Sequence, residues 1–309
     1  MADLVTFGEP LMEFARLEGE ARPIYLQGFG GDTSNVAVAA ARQGASVAVL
    51  ARLGNDAFGD AFVRLWSSEG IDTSLVQRDD EAATGVYFID YDDSGHRFSY
   101  LRAGSAATRL GPDLLPRQTI AGARAVHLSG ITQAISARSC DAAFAALAIA
   151  RESGAITSFD PNLRLKLWPL ERARAIVLET VRDVDFVLPS EDDAAALFGT
   201  DDRDEMIDRL LGRGARTVVL KLGADGVSIA HPGGRLDIAA HPVEPVDATG
   251  AGDTFDGAFL ARVLAGDGVE EAARFAVVAA ALSTTGHGAV AAMPTHDEVR
   301  TAIAGSDPR

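Results

Sequence analysis

The stretch DATGAGDTFDGAF, residues 247–259, puts a small-residue turn, a helix start and a carboxylate at one point of the chain. An extended run, 239–246, leads into it. Gly250 and Gly252 carry no Cβ, so the backbone of the Thr-Gly-Ala-Gly turn can come close to a ligand. Beyond the turn, Phe255, Ala258, Phe259, Arg262 and Val263 recur at helical spacing with their apolar members on one face. A helix that starts here aims its first free N–H groups back at the glycines, and that arrangement binds anions. Asp253 falls in the first helical turn, where a carboxylate serves either as a cap or as a base beside a bound phosphate. A base next to a phosphate points to phosphoryl transfer.

Outward from this point, short apolar runs at 4–8, 47–51, 125–129, 156–160, 186–189 and 217–221 alternate with helix-patterned segments. The clearest of these segments are 34–43, 58–69, 137–151, 170–181 and 191–198. Such alternation predicts an α/β fold with a mostly parallel central sheet and helices on both faces. Ligands gather beyond the carboxyl ends of strands in folds of this kind, which draws attention to Gly8, Ser129, Asp160 and Lys221 at the ends of four runs. The segment TGVYFIDYDDSGHRFSYLR, 84–102, breaks the alternation. Its two runs around Asp92-Asp93-Ser94-Gly95 predict a β-hairpin, and the extended piece 22–27 is expected to pair with it, since an isolated hairpin is marginal. A second hairpin is expected between 218–220 and 227–230. Neither an internal repeat nor a linker appears, so 1–309 reads as a single domain with a β-lid formed by about 10–27 and 84–104.

The charge balance narrows the partners. A formal charge of −16, from 44 acids against 28 bases, argues against a polyanion-binding surface and so against nucleic acid. Lys166 and Lys221 are the only lysines, and neither stands in the Gly-Lys-Ser/Thr of a P-loop. Cys140, the single cysteine, leaves no intramolecular disulfide and is expected to be a packed core residue. No apolar run approaches the ~20 residues of a membrane span and no secretory leader is evident, so cytoplasmic residence without membrane contact is expected. The six histidines lack metal-ligand spacing and are expected at surface or loop positions, so no metal is assigned to protein ligands. Acid runs at 191–193 and 201–205 are expected to be solvated helix starts, and the tail 305–309 to be frayed.

A second glycine-rich segment, GFGGDTSNVAVAAARQG at 28–44, also suits a small-molecule pocket. The two segments resemble the two signatures of the PfkB-type, ribokinase-like sugar kinases. The first does so through Gly30, Gly31, Asn35, Ala37, Ala41 and Gly44, the second through Asp247, Thr249, Gly250, Ala251, Gly252 and Asp253. The resemblance extends over essentially the whole chain. It implies a ribokinase-like three-layer α/β/α fold whose small β-sheet lid covers the sugar site and often serves in dimer contacts. It also implies ATP and Mg²⁺ as cofactors, Asp253 as general base, and the amides of Gly250, Ala251 and Gly252 as an anion hole.

Within that family, GGDTSN at 30–35, YLR at 100–102, SGIT at 129–132 and FDPNLRLKLWP at 159–169 resemble the branch that phosphorylates 2-keto-3-deoxygluconate. An aromatic and two arginines recognise the acid sugar in that branch. The resemblance therefore implies a substrate pocket of Gly31, Asp32, Asn35, Tyr87, Tyr100, Arg102 and Arg164. A carboxylate takes paired N–H donors from arginine, which neutral ribose or fructose does not require. For the nucleotide, the resemblance implies Ser190, Asp193, Thr249 and the KLGADG turn with Lys221, Gly223 and Gly226, with 283–288 bordering adenine. The family usually carries Asn-x-x-Glu where this chain reads Ser190-Glu191-Asp192-Asp193. Plain structural roles stand beside these assignments: Arg102 as a solvent-facing hairpin residue, Arg164 paired with a nearby acid, both tyrosines as packing residues. The alternatives in function are a fructokinase or ribokinase with the same base, and a non-catalytic sugar-acid sensor.

Overall fold

A computed structural model describes residues 2–17, 22–92 and 95–305. The chain begins β1 (Leu4–Phe7), β2 (Leu11–Arg16), β3 (Tyr25–Gly30), α1 (Asp32–Arg42), β4 (Val47–Leu50), β5 (Arg52–Gly54) and α2 (Ala57–Ser68). It continues through β6 (Gln77–Asp79), β7 (Gly85–Asp92), β8 (Gly95–Leu101), α3 (Arg117–Gly122), β9 (Ala125–Ser129), α4 (Gly130–Ala134), α5 (Ala137–Glu152) and β10 (Ile156–Asp160). Then come α6 (Leu170–Val181), β11 (Phe186–Val187), α7 (Glu191–Phe198), α8 (Arg203–Gly212), β12 (Thr217–Lys221), β13 (Val227–His231) and β14 (Gly234–Ile238). The last elements are α9 (Ala251–Ala265), α10 (Val269–Ser283) and α11 (His296–Gly305).

Eight strands form the central sheet in the order β14-β13-β12-β11-β10-β9-β1-β4. Pairing is parallel from β4 to β12 and antiparallel where β13 and β14 close the edge, so the expected hairpin after β12 is present. The strands read as unbroken apolar runs because both faces are covered. Leu4, Val47, Val49 and Val219 pack with α1, α9 and α10 on one face. Val5, Phe7, Ala48, Leu50, Val218 and Leu220 pack with α5, α6 and α8 on the other, as the two-residue period of a strand requires. This is the three-layer α/β/α arrangement of a ribokinase-like fold. Helices α1 and α9 meet at Gly257, where an added Cβ would lie 2.6 Å from both Ala39 Cβ and Val36 O. Only glycine allows that approach.

The strands of the expected lid form a four-stranded sheet ordered β3-β2-β7-β8, parallel between β2 and β7 and antiparallel elsewhere. Here the expectation needs correction. The piece around 22–27 does not pair with the hairpin: β2 lies between them and hydrogen-bonds to both. Strand β3 also runs on to Gly30, so the second glycine-rich segment starts as a lid strand before becoming α1. On the side carrying Met12, Phe14 and Phe29 the lid rests on the body, with Phe14 against Phe58 at 5.7 Å and Phe29 against Phe62 at 5.2 Å. Asp93 and Ser94 of the expected hairpin turn, and 306–309 of the expected tail, lie outside the described residues.

Two further expectations change. The run 239–246 joins no sheet and crosses to the glycine turn as an irregular segment. His127 is no surface histidine: it sits in β9, 1% exposed, with Nδ1 3.0 Å from Ser158 Oγ. Burial pushes its pKa down to about 4, so the ring is neutral and fills the sheet as a polar core residue. Cys140 is buried in α5. Among the described residues no helix is long and apolar enough to cross a membrane.

Candidate active site

The carboxyl ends of β1, β10 and β12, the start of α9 and the inner side of the lid enclose a cleft of about 1020 Å³. Every site residue expected from sequence lines it: Gly31, Asp32, Asn35, Tyr87, Tyr100, Arg102 and Arg164, then Ser190, Asp193, Lys221, Gly223, Gly226 and Thr249, then Gly250, Ala251, Gly252 and Asp253. The segment 283–288 contributes nothing to its wall, which is built there by Val277, Ala280 and Ala289. That stretch instead ties down the glycine turn, because Asp247 accepts from Gly288 N at 2.9 Å and from Thr249 N at 2.9 Å.

Gly250 caps α9 in the left-handed region, φ 76°, and no side chain caps this helix end. Among the described residues the amides of Gly250, Gly252 and Asp253 have no acceptor, whereas the Ala251 amide turns back to Ala248 O at 3.2 Å. The free amides therefore belong to a slightly different set from the expected one. A tight turn spends its own i→i+3 donor, and here that donor is Ala251.

Asp253 does not cap the helix. Its carboxylate reaches across to α1, where Asn35 Nδ2 donates to it at 2.8 Å. Burial, with the nearby negative charge of Asp32 and Asp160, pushes its pKa up to about 7, against the opposing Asn35 bond and Lys221 charge. Asp32, behind it at the start of α1, accepts from Thr33 N at 2.8 Å and Asn162 Nδ2 at 3.1 Å. A carboxyl that titrates near neutrality beside a turn of free amides is suited to accept a proton.

Lys221 ends β12 with its ammonium between Asp160 (3.0 Å) and Asp256 (3.0 Å). Burial alone would lower its pKa, but the two carboxylates more than offset this and keep it raised and charged. Ser190 caps α7 by accepting from Asp193 N at 3.1 Å. Asp193 is thus no solvated helix-start acid: burial and the charge of Asp160 push its pKa up to about 6.

Both plain readings of the arginines fail. Arg102 is 10% exposed and ion-paired with Glu9, which also accepts from Ser105 Oγ at 2.6 Å, while Arg102 Nε is buried without an acceptor. Arg164 is exposed to the cleft, and among the described residues it pairs with no acid; Nη1 donates only to Leu163 O at 2.9 Å. Tyr87 and Tyr100 stack with centroids 5.7 Å apart and form one wall. Sequence reasoning missed Glu9, Asn162, Asp256 and Lys166; all but Asp256 line the cleft. Asp160, expected at a strand's carboxyl end where ligands gather, lines the cleft as well. Asp256 had a usable signal, an acid inside an otherwise apolar helix, which demands a buried partner.

Fold and cleft together define a small-molecule phosphotransferase. The pattern of the pfkB family carbohydrate kinase matches residues 1–296, and the chain belongs to this family of sugar kinases. It is 36% identical to a 2-dehydro-3-deoxygalactonokinase of Haloferax volcanii over 99% of this chain and 98% of that protein. It is also 36% identical to a 2-dehydro-3-deoxygluconokinase of Thermoproteus tenax, over 96% of this chain and 93% of that protein. A Vibrio cholerae fructokinase, solved with fructose, ADP and calcium ion, superposes with a TM-score of 0.88 at 29% identity, covering 98% of this chain and 99% of its own.

Proposed function

We propose that this chain transfers the γ-phosphoryl group of ATP to the 6-hydroxyl of 2-keto-3-deoxygluconate, giving its 6-phosphate. The observation that carries the proposal is Asp253, with its pKa near 7, held by Asn35 at 2.8 Å beside the free amides of the glycine turn. Asp253 takes the hydroxyl proton as the oxygen attacks. The amides of Gly250, Gly252 and Asp253 and the start of α9 face the charge on the transferring group. Lys221, fixed by Asp160 and Asp256, adds a positive charge beside the turn. Orientation and preorganised charge supply most of the rate in this reaction class.

Mg²⁺ fits the donors present. Asp193 offers a carboxylate that burial keeps short of full charge at low pH, and one carboxylate with phosphate oxygens and waters is a usual magnesium set. When bound, the ion neutralises the phosphates and draws charge from the leaving group.

Two relatives that bear the names of keto-deoxy sugar-acid kinases support an acid substrate. Arg164 brings a cleft-exposed guanidinium with no ion pair among the described residues, and Arg102 a buried Nε–H with no acceptor. A second reading, a fructokinase, is favoured by the Glu9–Arg102 pair, which cancels one of the two charges an acid sugar would use. Magnesium-dependent ADP release with 2-keto-3-deoxygluconate, 2-keto-3-deoxygalactonate, fructose and ribose, side by side, decides between them. Preference for a neutral sugar discards the acid substrate and keeps Asp253; binding of a sugar acid with no turnover of any sugar makes the chain a sensor.

Self-association through the lid belongs to the same proposal. Leu17, Ile24 and Leu26 are exposed on one side of its β2–β3 edge, and burying such a patch drives assembly. Sedimentation of the wild type against Leu26→Glu tests it. The proposed place of work is the cytoplasm.

A further inference from the structure

Glu13 is a buried carboxylate in the middle of a lid strand, 6% exposed, and it takes no part in the cleft wall. Strand register explains where it goes. Gly28 of β3, Glu13 of β2, Tyr87 of β7 and Tyr100 of β8 are successive partners in one row across all four strands. Partners in such a row lie on the same side of the sheet, and this side carries the two tyrosines into the cleft. The Tyr87 hydroxyl donates to the Glu13 carboxylate.

The backbone has been cleared for this bond. A Cβ on Gly28 would stand 2.8 Å from Glu13 Oε1, and one on Gly30 would stand 2.5 Å from the Tyr87 hydroxyl oxygen. The two glycines form a notch that receives the carboxylate and the phenol. Tyr100 stacks on Tyr87 at 5.7 Å with 26° between the rings, so whatever fixes Tyr87 also fixes Tyr100. We infer that Glu13 is a positioning residue for the sugar subsite, setting the shape of the Tyr87–Tyr100 wall through the Tyr87 hydroxyl without touching the sugar. Burial raises the Glu13 pKa.

The inference rests on the proposed location of the sugar against these tyrosines, but not on which sugar binds. The test therefore uses whichever sugar of the panel the wild type prefers, read both as KM and as calorimetric binding. Glu13→Ala, Glu13→Gln, Tyr87→Phe and the Glu13→Ala/Tyr87→Phe double variant are compared. Glu13→Ala is expected to raise the sugar KM about tenfold while the ATP KM and kcat stay within about twofold, and Glu13→Gln, which still accepts the bond, to recover most of the loss. In the Tyr87→Phe background Glu13→Ala is expected to add less than about twofold, because both changes remove one interaction. A merely structural acid would lower the melting temperature and leave this split unmoved. Should Glu13→Ala fail to fold, Gly28→Ala displaces the carboxylate without removing it and is expected to raise the sugar KM in the same direction. An unchanged sugar KM in the variants that fold, or full multiplication of the two single effects, overturns the inference. A change of preferred sugar alters the proposed substrate and leaves this comparison intact.

Discussion

On the floor of the cleft Lys221 is clasped by two acids, Asp160 and Asp256, and Asp253 stands in a surplus of negative charge that Asp32 and Asp160 create. On the lid side each donor has one acid of its own: Glu9 for Arg102 and Glu13 for Tyr87. The floor thus keeps its groups electrostatically coupled, which tunes the proposed proton acceptor, whereas the lid gives each donor its own acceptor, which fixes shape. Floor substitutions should appear in stability and kcat, lid substitutions in KM.

The largest expected effect is on the floor. Lys221→Met leaves Asp160 and Asp256 facing each other unpaired, and breaking a buried pair from one side costs about 3–5 kcal/mol. Denaturant melts of that variant check it, and a loss under about 1 kcal/mol would show the cluster to be solvated and the contrast with the lid empty. Asp253→Asn should lower turnover by roughly 100-fold or more while ATP binding persists, as for loss of a general base. Undiminished turnover removes Asp253 from that role.

The pH profile sharpens the same contrast. Asp253 accepts a proton only when ionised, so kcat/KM should rise with pH through about 7. Asp32→Asn removes one cause of the elevation and should move that limb to lower pH. Stability runs the other way. The folded state keeps a proton on Asp253 that the unfolded chain releases near 3.8, so this group's contribution is full below that value and is lost as pH rises through about 7. Melting curves of the wild type and Asp253→Asn should lie closest at the lower end of this window and separate as pH rises, with the variant the more stable at the upper end; parallel curves would deny the elevated pKa. The smallest effect belongs to the rim, where Arg164→Ala should raise the KM for a sugar acid about tenfold and leave fructose unchanged. Equal losses for both would assign Arg164 to the nucleotide.

The central sheet was legible because its strands are buried on both faces and read as apolar runs such as VAVL at 47–50, bounded by polar ends. The lid order was not. LMEFAR at 11–16 contains an inward acid that hides the strand's alternation, and its pairing depends on partners 9 to 19 residues away in β3 and 74 residues away in β7, which no local pattern encodes. The cleft was legible where backbone chemistry demands a residue type, as at the glycine turn, and where motifs are contiguous. It was illegible at Glu9, an acid whose meaning comes from a cation far along the chain, Arg102.

At Gly257 the helix carrying Asp253 lies backbone to backbone against the helix carrying Asn35. The proposed proton acceptor and its hydrogen-bond partner are therefore welded into one block, a turn away from the weld. A single methyl group at position 257 would act as a wedge behind the proposed base and its Asn35 partner, with no residue of the cleft wall altered.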